Sequence, residues 1–291
     1  MSADANARVV DVAYSRYDGP RSGRLGAIWS LARWSALRAL GARRGWKAKL
    51  IPITLTLLAF APALVVLGLR ALFGTSSFTR DLVKALPYSD YMATIAIVIL
   101  VFSVVITPEL VCPDRRDRTL SLYFSTAIGR GDYVIGKIVA ALIPLLLVTL
   151  APPLILYAGN LLFAVHPIGY LDSHVADLPR IVGGGLMIAA FYALIGLAIS
   201  SLTGRRAFAV GGYLAFLIIP TIVGGVLAHA LNERYLRLLA FAAAPIQAAR
   251  GLYPGYTDRG HISAAVWAAT SVELIVVAVI VLAIRYGRDE G

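Results

Sequence analysis

Charge and cysteine are what this 291-residue sequence has least of. Only 15% of its residues are charged and 59% are hydrophobic, where a soluble domain carries about a quarter charged residues. That shortage excludes an ordinary water-soluble globule. The single cysteine, Cys112, excludes an intramolecular disulfide and any multi-cysteine metal site. The histidines, His166, His174, His229 and His261, show no metal-like spacing, so no metal is expected. Acidic residues are scarce as well, 16 against 27 Lys and Arg, for a formal charge of +11. In a soluble protein that surplus would point to nucleic acid. In so apolar a chain it marks sidedness, because basic residues collect in cytoplasmic loops, and no nucleic-acid partner is expected. The N-terminus also lacks a signal-peptide pattern: it is polar, with Tyr14, Tyr17 and an Asp18-Gly19-Pro20 turn, so mature and encoded N-termini are expected to coincide.

What the sequence does have is long apolar runs. Crossing about 30 Å of hydrocarbon takes roughly 20 apolar residues in a helix. Six stretches qualify, near Leu50–Leu69, Tyr91–Thr107, Tyr133–Leu156, Ile181–Leu202, Phe208–Ala230 and Ser263–Ile284. A membrane barrel would instead show alternating segments of about ten residues. The expected fold is an all-α polytopic membrane protein: residues 1–49 form a tail and interfacial helix, and residues 50–291 a six-span transmembrane domain. Most Lys and Arg fall in the N-terminal tail, the loop after span two, the Thr203–Arg206 turn and the C-terminus. The positive-inside rule then puts both termini in the cytoplasm of a multi-pass cell-membrane protein. In the connection 231–262, the stretch 236–249 is too short to cross unaided. It is expected to be a re-entrant or surface helix on the outer side, with a seventh span as the alternative.

Residues 25–49 repeat apolar side chains at helical spacing, Leu25, Ile28, Trp29, Ala32, Ala36 and Leu40, beside Arg33, Arg38, Arg43, Arg44, Lys47 and Lys49. Tryptophan with cationic neighbours on an amphipathic helix is the pattern of a helix in the headgroup layer. Trp29, Arg33, Trp34 and Arg38 are its candidate contact residues, and a plain charged tail is the alternative. Prolines at 52, 62, 144, 152, 153 and 220, with glycine clusters at 183–185, 211–212 and 224–225, suit kinked, closely packed spans. They occur in static and in moving bundles alike.

The segment 107–137 interrupts this oily pattern. Thr107-Pro108-Glu109 is expected to cap a new short helix, and Pro113 to end it. Asp114, Arg115, Arg116, Asp117 and Arg118 then read as a solvated mixed-charge turn, in preference to a phosphate or metal site. From Thr119 onward, Leu120, Tyr123, Phe124, Ala127 and Ile128 follow helical periodicity opposite Ser121, Ser125 and Thr126. A strand reading by alternation stays open. Gly129-Arg130-Gly131 turns the chain, and Asp132 is placed to cap the next span. The run from Gly131 to Lys137 nearly matches a phosphate-binding loop, but Ile138 stands where a Ser or Thr must hold Mg²⁺ and the chain then enters lipid. ATP hydrolysis is therefore expected on a different chain. Glu273 lies near the middle of the last apolar run, where a charge costs about 2.5 to 3.5 kcal/mol on insertion scales. It must face protein or water, pair with another group, or carry a proton. A hydrogen bond to a neighbouring helix and a role in lining a substrate cavity are both open.

The run "PELVCPDRRDRTLSLYFSTAIGRGDYVIGKIVA" resembles the loop after the second span in type-2 permeases of ATP-binding-cassette exporters. The matching features are Glu109, Thr119, Leu120, Ser125, Thr126, Arg130, Gly136 and Lys137. "LIGLAISSLTGRRAFAVGGYL" is similar to that family's fourth span, basic loop and fifth span, and "YSRYDGPRSGR" to a tail common in actinobacterial members. The chain departs from the pattern at Asp117-Arg118, where glycine commonly precedes the threonine, and at Ala127, where proline is usual. The resemblance implies a pair of permeases, the second a copy or a paralogue, above two separate ATPase subunits that hold ATP and Mg²⁺. It makes 119–128 a coupling helix and 25–49 the connecting helix. Glu109, Asp114, Arg115, Arg116, Arg118, Thr119, Leu120, Tyr123, Phe124 and Arg130 would then couple to the ATPase, with no catalytic residue and no cofactor on this chain. A membrane scaffold or sensor and a membrane-embedded lipid-modifying enzyme are the other readings. The substrate is not legible.

Overall fold

The computed structural model describes residues 23–42, 45–74, 76, 79, 86–120, 123, 128–256, 258 and 261–287. All regular elements among them are helical. In chain order they are α1 (Arg24–Ala39), α2 (Trp46–Phe73), α3 (Tyr88–Thr94), α4 (Ala96–Arg116), α5 (Arg130–Leu162), α6 (Pro167–His174), α7 (Asp177–Ser201), α8 (Arg206–Ala230), a 3-10 turn (Arg234–Leu239), α9 (Ala244–Arg250) and α10 (Ala264–Gly287). Six of them, α2, α4, α5, α7, α8 and α10, are long and apolar enough to cross a bilayer. The chain is a multi-pass helical membrane protein.

α7 is the axis of the bundle. Its membrane-length window is 72% buried, against 17% for α8 and 22% each for α2 and α10. It packs on α4, α5, α8, α9 and α10, and its small residues make that possible. A Cβ on Gly196 would lie 2.4 Å from Thr107 Oγ1, so α4 and α7 meet where only glycine fits. Nearby, Tyr213 of α8 donates to the Tyr192 carbonyl of α7 at 2.7 Å. With no water in the hydrocarbon, such hydroxyls must find partners inside the protein.

The second span differs from the sequence expectation at both ends. It begins at Ala96, not Tyr91, because Ile95 (φ −98°, ψ 12°) drops out of helical geometry and sets α3 apart. The Tyr91 hydroxyl pins α3 to the Ala59 carbonyl of α2 at 2.8 Å. At the other end no new helix starts at Thr107: α4 runs unbroken through Pro108 and Pro113 to Arg116. Each proline forfeits a backbone donor, yet Thr107, Glu109, Leu110 and Val111 are all buried in the bundle, and that packing carries the helix through.

α1 ends at Ala39, well short of Lys49. Gly41, at φ +81°, makes the turn towards α2, and a Cβ there would sit 2.8 Å from the Ala48 carbonyl oxygen. The buried seam of α1 is also rotated from the expected stripe. Leu31, Ala32, Ser35, Ala36 and Ala39 are buried, while Leu25 and Trp29 are exposed. The physical reason is that α1 is packed on α5 and α4, so Leu31 and a row of small residues, not Leu25 and Trp29, face the bundle. In the connection after α8, α9 has seven residues and buries Ala244, Pro245, Ile246, Ala248 and Ala249 against α7, α10 and α3. It is too short to cross, and no seventh span is present among the described residues. Of the expected helix 119–128, only Thr119, Leu120, Tyr123 and Ile128 are described; Phe124, Ser125 and Thr126 lie outside the described residues.

Candidate functional site

At the α1 end of the bundle, one carboxylate gathers several elements. Asp114, in the last turn of α4, is 2% exposed. Its Oδ1 takes a hydrogen bond from Arg38 Nη2 of α1 at 2.9 Å. Its Oδ2 lies 2.6 Å from Lys137 Nζ of α5 and accepts from the Tyr133 hydroxyl at 3.1 Å. Lys137, itself 3% exposed, also donates to Ser35 Oγ of α1 at 3.0 Å. The Asp114 carbonyl receives the Thr119 backbone N–H at 3.0 Å and its hydroxyl at 3.2 Å, which ties the segment after α4 to the same residue. The ring of Tyr133 packs against Tyr123 at 5.6 Å and against Tyr286 of α10 at 5.4 Å. α1, α4, the segment beyond it, α5 and α10 therefore meet at one buried ionic knot.

Two further ion pairs flank it. Glu109, whose side chain is 5% exposed, meets Arg206 at 2.7 Å, joining α4 to the start of α8. Asp132, also 5% exposed on its side chain, pairs with Arg24 at 2.7 Å and accepts from the backbone N–H of Gly129 at 3.2 Å. It caps α5 as its position suggested and fastens α1 as well. Buried carboxylates of this kind are costly unless fully paired, and removing one partner strands the other. Such a knot fixes geometry more than it adds net stability. The Arg38 guanidinium illustrates the balance: burial would lower its pKa, but Asp114 outweighs that and raises it. Burial likewise pushes the Tyr123 phenol up.

The expected solvated turn is therefore corrected at its first residue. Asp114 is interior, and solvent begins with Arg116, Asp117 and Arg118. Arg116 Nε binds Asp117 Oδ1 at 2.8 Å with both side chains exposed, and that contact draws the Asp117 pKa down. Arg115 is half-buried, with Nη1 buried and unpartnered. Arg118 adopts φ +52°, a left-handed conformation that favours glycine, which accounts for the glycine usual there in the resembling permeases. Leu120 packs on the core and Arg130 opens α5. On α1, Trp29, Arg33 and Trp34 are exposed, with Arg33 over the Trp34 ring at 5.9 Å, while Arg38 turns inward. Glu273 is not part of this cluster: it is exposed on α10.

Sequence reasoning did not select Lys137, Tyr133, Ser35, Asp132, Arg24, Arg206 or Tyr286 as site residues. One signal was there to use. Asp114 and Lys137 stand near the facing ends of two consecutive helices, α4 and α5, whose hairpin brings opposite charges within reach. Among the described residues, no three His, Cys, Asp or Glu side chains converge as a metal site would require. The arrangement holds elements together.

No curated protein matches the chain at a significant level. A family model does match: the ABC-2 family transporter protein model covers residues 29–290, taking in most of α1, all six spans and the ionic knot. The chain is a member of the ABC-2 family, the permease subunit of an ATP-binding-cassette transporter.

Proposed function

We propose that this permease works in an exporter of the cytoplasmic membrane, with its α1 end in the cytoplasm, as one of two permeases above two ATPase subunits. ATP is bound with Mg²⁺ and hydrolysed on those subunits. The segment 119–128 acts as the coupling helix, seated in an ATPase groove, and α1 lies at the headgroup level with Trp29, Arg33 and Trp34 outward. The connection with α9 dips in from the outer side as a re-entrant element.

The observation that carries this reading is the tie between Thr119 and Asp114. A lever must be fixed to what it moves. Force applied after Thr119 would reach Asp114 directly, and from it α1 through Arg38 and α5 through Lys137. Arg116, Asp117 and Arg118, exposed beside that tie, offer a charged edge to a docking protein. The basic residues of the N-terminal tail and of the Thr203–Arg206 turn favour the same side for the cytoplasm.

Co-expression of the chain with its cognate ATPase tests the reading. Thr119→Pro removes the N–H that reaches Asp114, and Phe124→Asp puts a charge on the expected apolar face of 119–128. Either substitution should abolish co-purification of the ATPase while the six spans remain inserted. Undiminished co-purification with both would overturn the coupling role of 119–128.

A further inference from the structure

Between its two polar ends α10 carries a single charge. From Ala264 to Ile284 the only Asp, Glu, Lys or Arg is Glu273, about 14 Å along the helix from Ala264 at 1.5 Å per residue. The helix packs through Trp267, Ser271, Ala278, Leu282 and Tyr286. At about 100° per residue, Glu273 points within roughly 60° of directly away from each of them. Its neighbours on the outward face are Val276, Val277 and Ile280, each about half exposed. Among the described residues Glu273 has no hydrogen bond and no ion pair.

For Glu273 to stay ionised away from water at that depth it needs a positive partner, and the sources of one are few. Lipid tails have none. A second copy of the chain has none at that level either. Residues 51–69, 96–114, 138–162, 181–201 and 207–230, the apolar parts of the other spans, contain no Lys or Arg. Two copies meeting through this face would set carboxylate against carboxylate. The occupant has to bring its own charge and has to be apolar elsewhere, to suit Val276, Val277 and Ile280.

We infer that the outward face of α10 is a binding site for a lipophilic organic cation, with the charge on Glu273 and the apolar body along Val276, Val277 and Ile280. This rests on the permease reading, because it makes the face part of the substrate path and assigns the substrate class.

The test uses the full chain in nanodiscs of neutral phosphatidylcholine and tetraphenylphosphonium as the probe, without any ATPase. Wild type should bind the cation saturably by equilibrium dialysis. Glu273→Gln should weaken binding by about tenfold or more, the loss expected when one partner of a desolvated charge pair is removed. Glu273→Asp, which keeps the charge, should stay within about threefold. In unmutated protein, the cation should also slow labelling of Glu273 by dicyclohexylcarbodiimide. Equal binding by wild type and Glu273→Gln, non-saturable uptake, or labelling indifferent to the cation would overturn the site and return the face to lipid or to a second copy. Because no ATPase is present, loss of cation binding and loss of ATPase co-purification are separate results, and each overturns only its own claim.

Discussion

The two ends of the bundle are held by different chemistry. At the α1 end, Glu109, Asp114 and Asp132 are almost fully buried and each is bound to Arg or Lys from another helix. At the opposite end the connections are mostly neutral. Tyr88 and Tyr170 share a hydrogen bond of 2.7 Å, and Asn160 donates to the Tyr88 hydroxyl at 2.8 Å and accepts from Arg70 Nη1 at 2.6 Å. Among the described residues, the one salt bridge that joins distant elements there, Asp90 with Arg250 at 2.5 Å, leaves both side chains partly in solvent. Buried charge pairs are hard to part, because separation strands charge in a low dielectric. Neutral and half-exposed contacts can be exchanged for water at little cost. The α1 end is thus built to move as one piece and the other end to come apart.

Cys112 offers a way to break that comparison. It is the sole thiol, 2% exposed and packed between α4 and α7, two residues from Asp114. Its rate of maleimide labelling reports opening of the α1 end, alongside thermal unfolding in detergent. The largest effect is expected from Asp114→Ala, which leaves Lys137 and Arg38 without their anion and should destabilise by roughly 3 to 5 kcal/mol, with fast Cys112 labelling. If Asp114→Ala unfolds no earlier than wild type, the claim of a locked end fails. Tyr88→Phe, at the opposite end, removes the hydrogen bonds shared with Tyr170 and received from Asn160 and should cost only about 1 to 2 kcal/mol, leaving Cys112 as protected as before. Arg118→Gly relieves a left-handed backbone and should gain about 1 kcal/mol; a loss would mean that contacts of the Arg118 side chain outweigh the strain. The smallest effect belongs to Asp117→Asn, a surface pair with Arg116, where neither melting nor labelling should change. A measurable drop there would show the solvated edge to be part of the knot.

How much of this was legible in the sequence depends on range. The six spans were, since continuous apolar runs are a local property, and each proline expected inside a span lies within a continuous helix. Asp132 as a cap was local too. The knot was not, because its members are 76 and 102 residues apart for Arg38 with Asp114 and Ser35 with Lys137. A run of charges looks solvated when only its neighbours in sequence are counted, and Asp114 belongs to such a run. The α1 seam was misplaced for a related reason. Periodicity finds the side of a helix with the largest apolar residues, but a helix lodged between two others buries mostly its smallest ones, here Ala32, Ser35, Ala36 and Ala39 beside Leu31. Of the coupling residues, Glu109 and Asp114 proved interior, Arg116 and Arg118 exposed, and Phe124 falls outside the described residues.

α5 contributes side chains to both ends. Its 33 residues extend about 50 Å at 1.5 Å per residue, well beyond some 30 Å of hydrocarbon, and carry Lys137 near one extremity and Asn160 near the other. An axial shift of a few ångströms imposed at Lys137 has no slack loop in which to dissipate. Like a pushrod, α5 would deliver it some 35 Å away, at the tyrosine-amide clasp, with Pro144 and the Pro152-Pro153 step to soften the stroke.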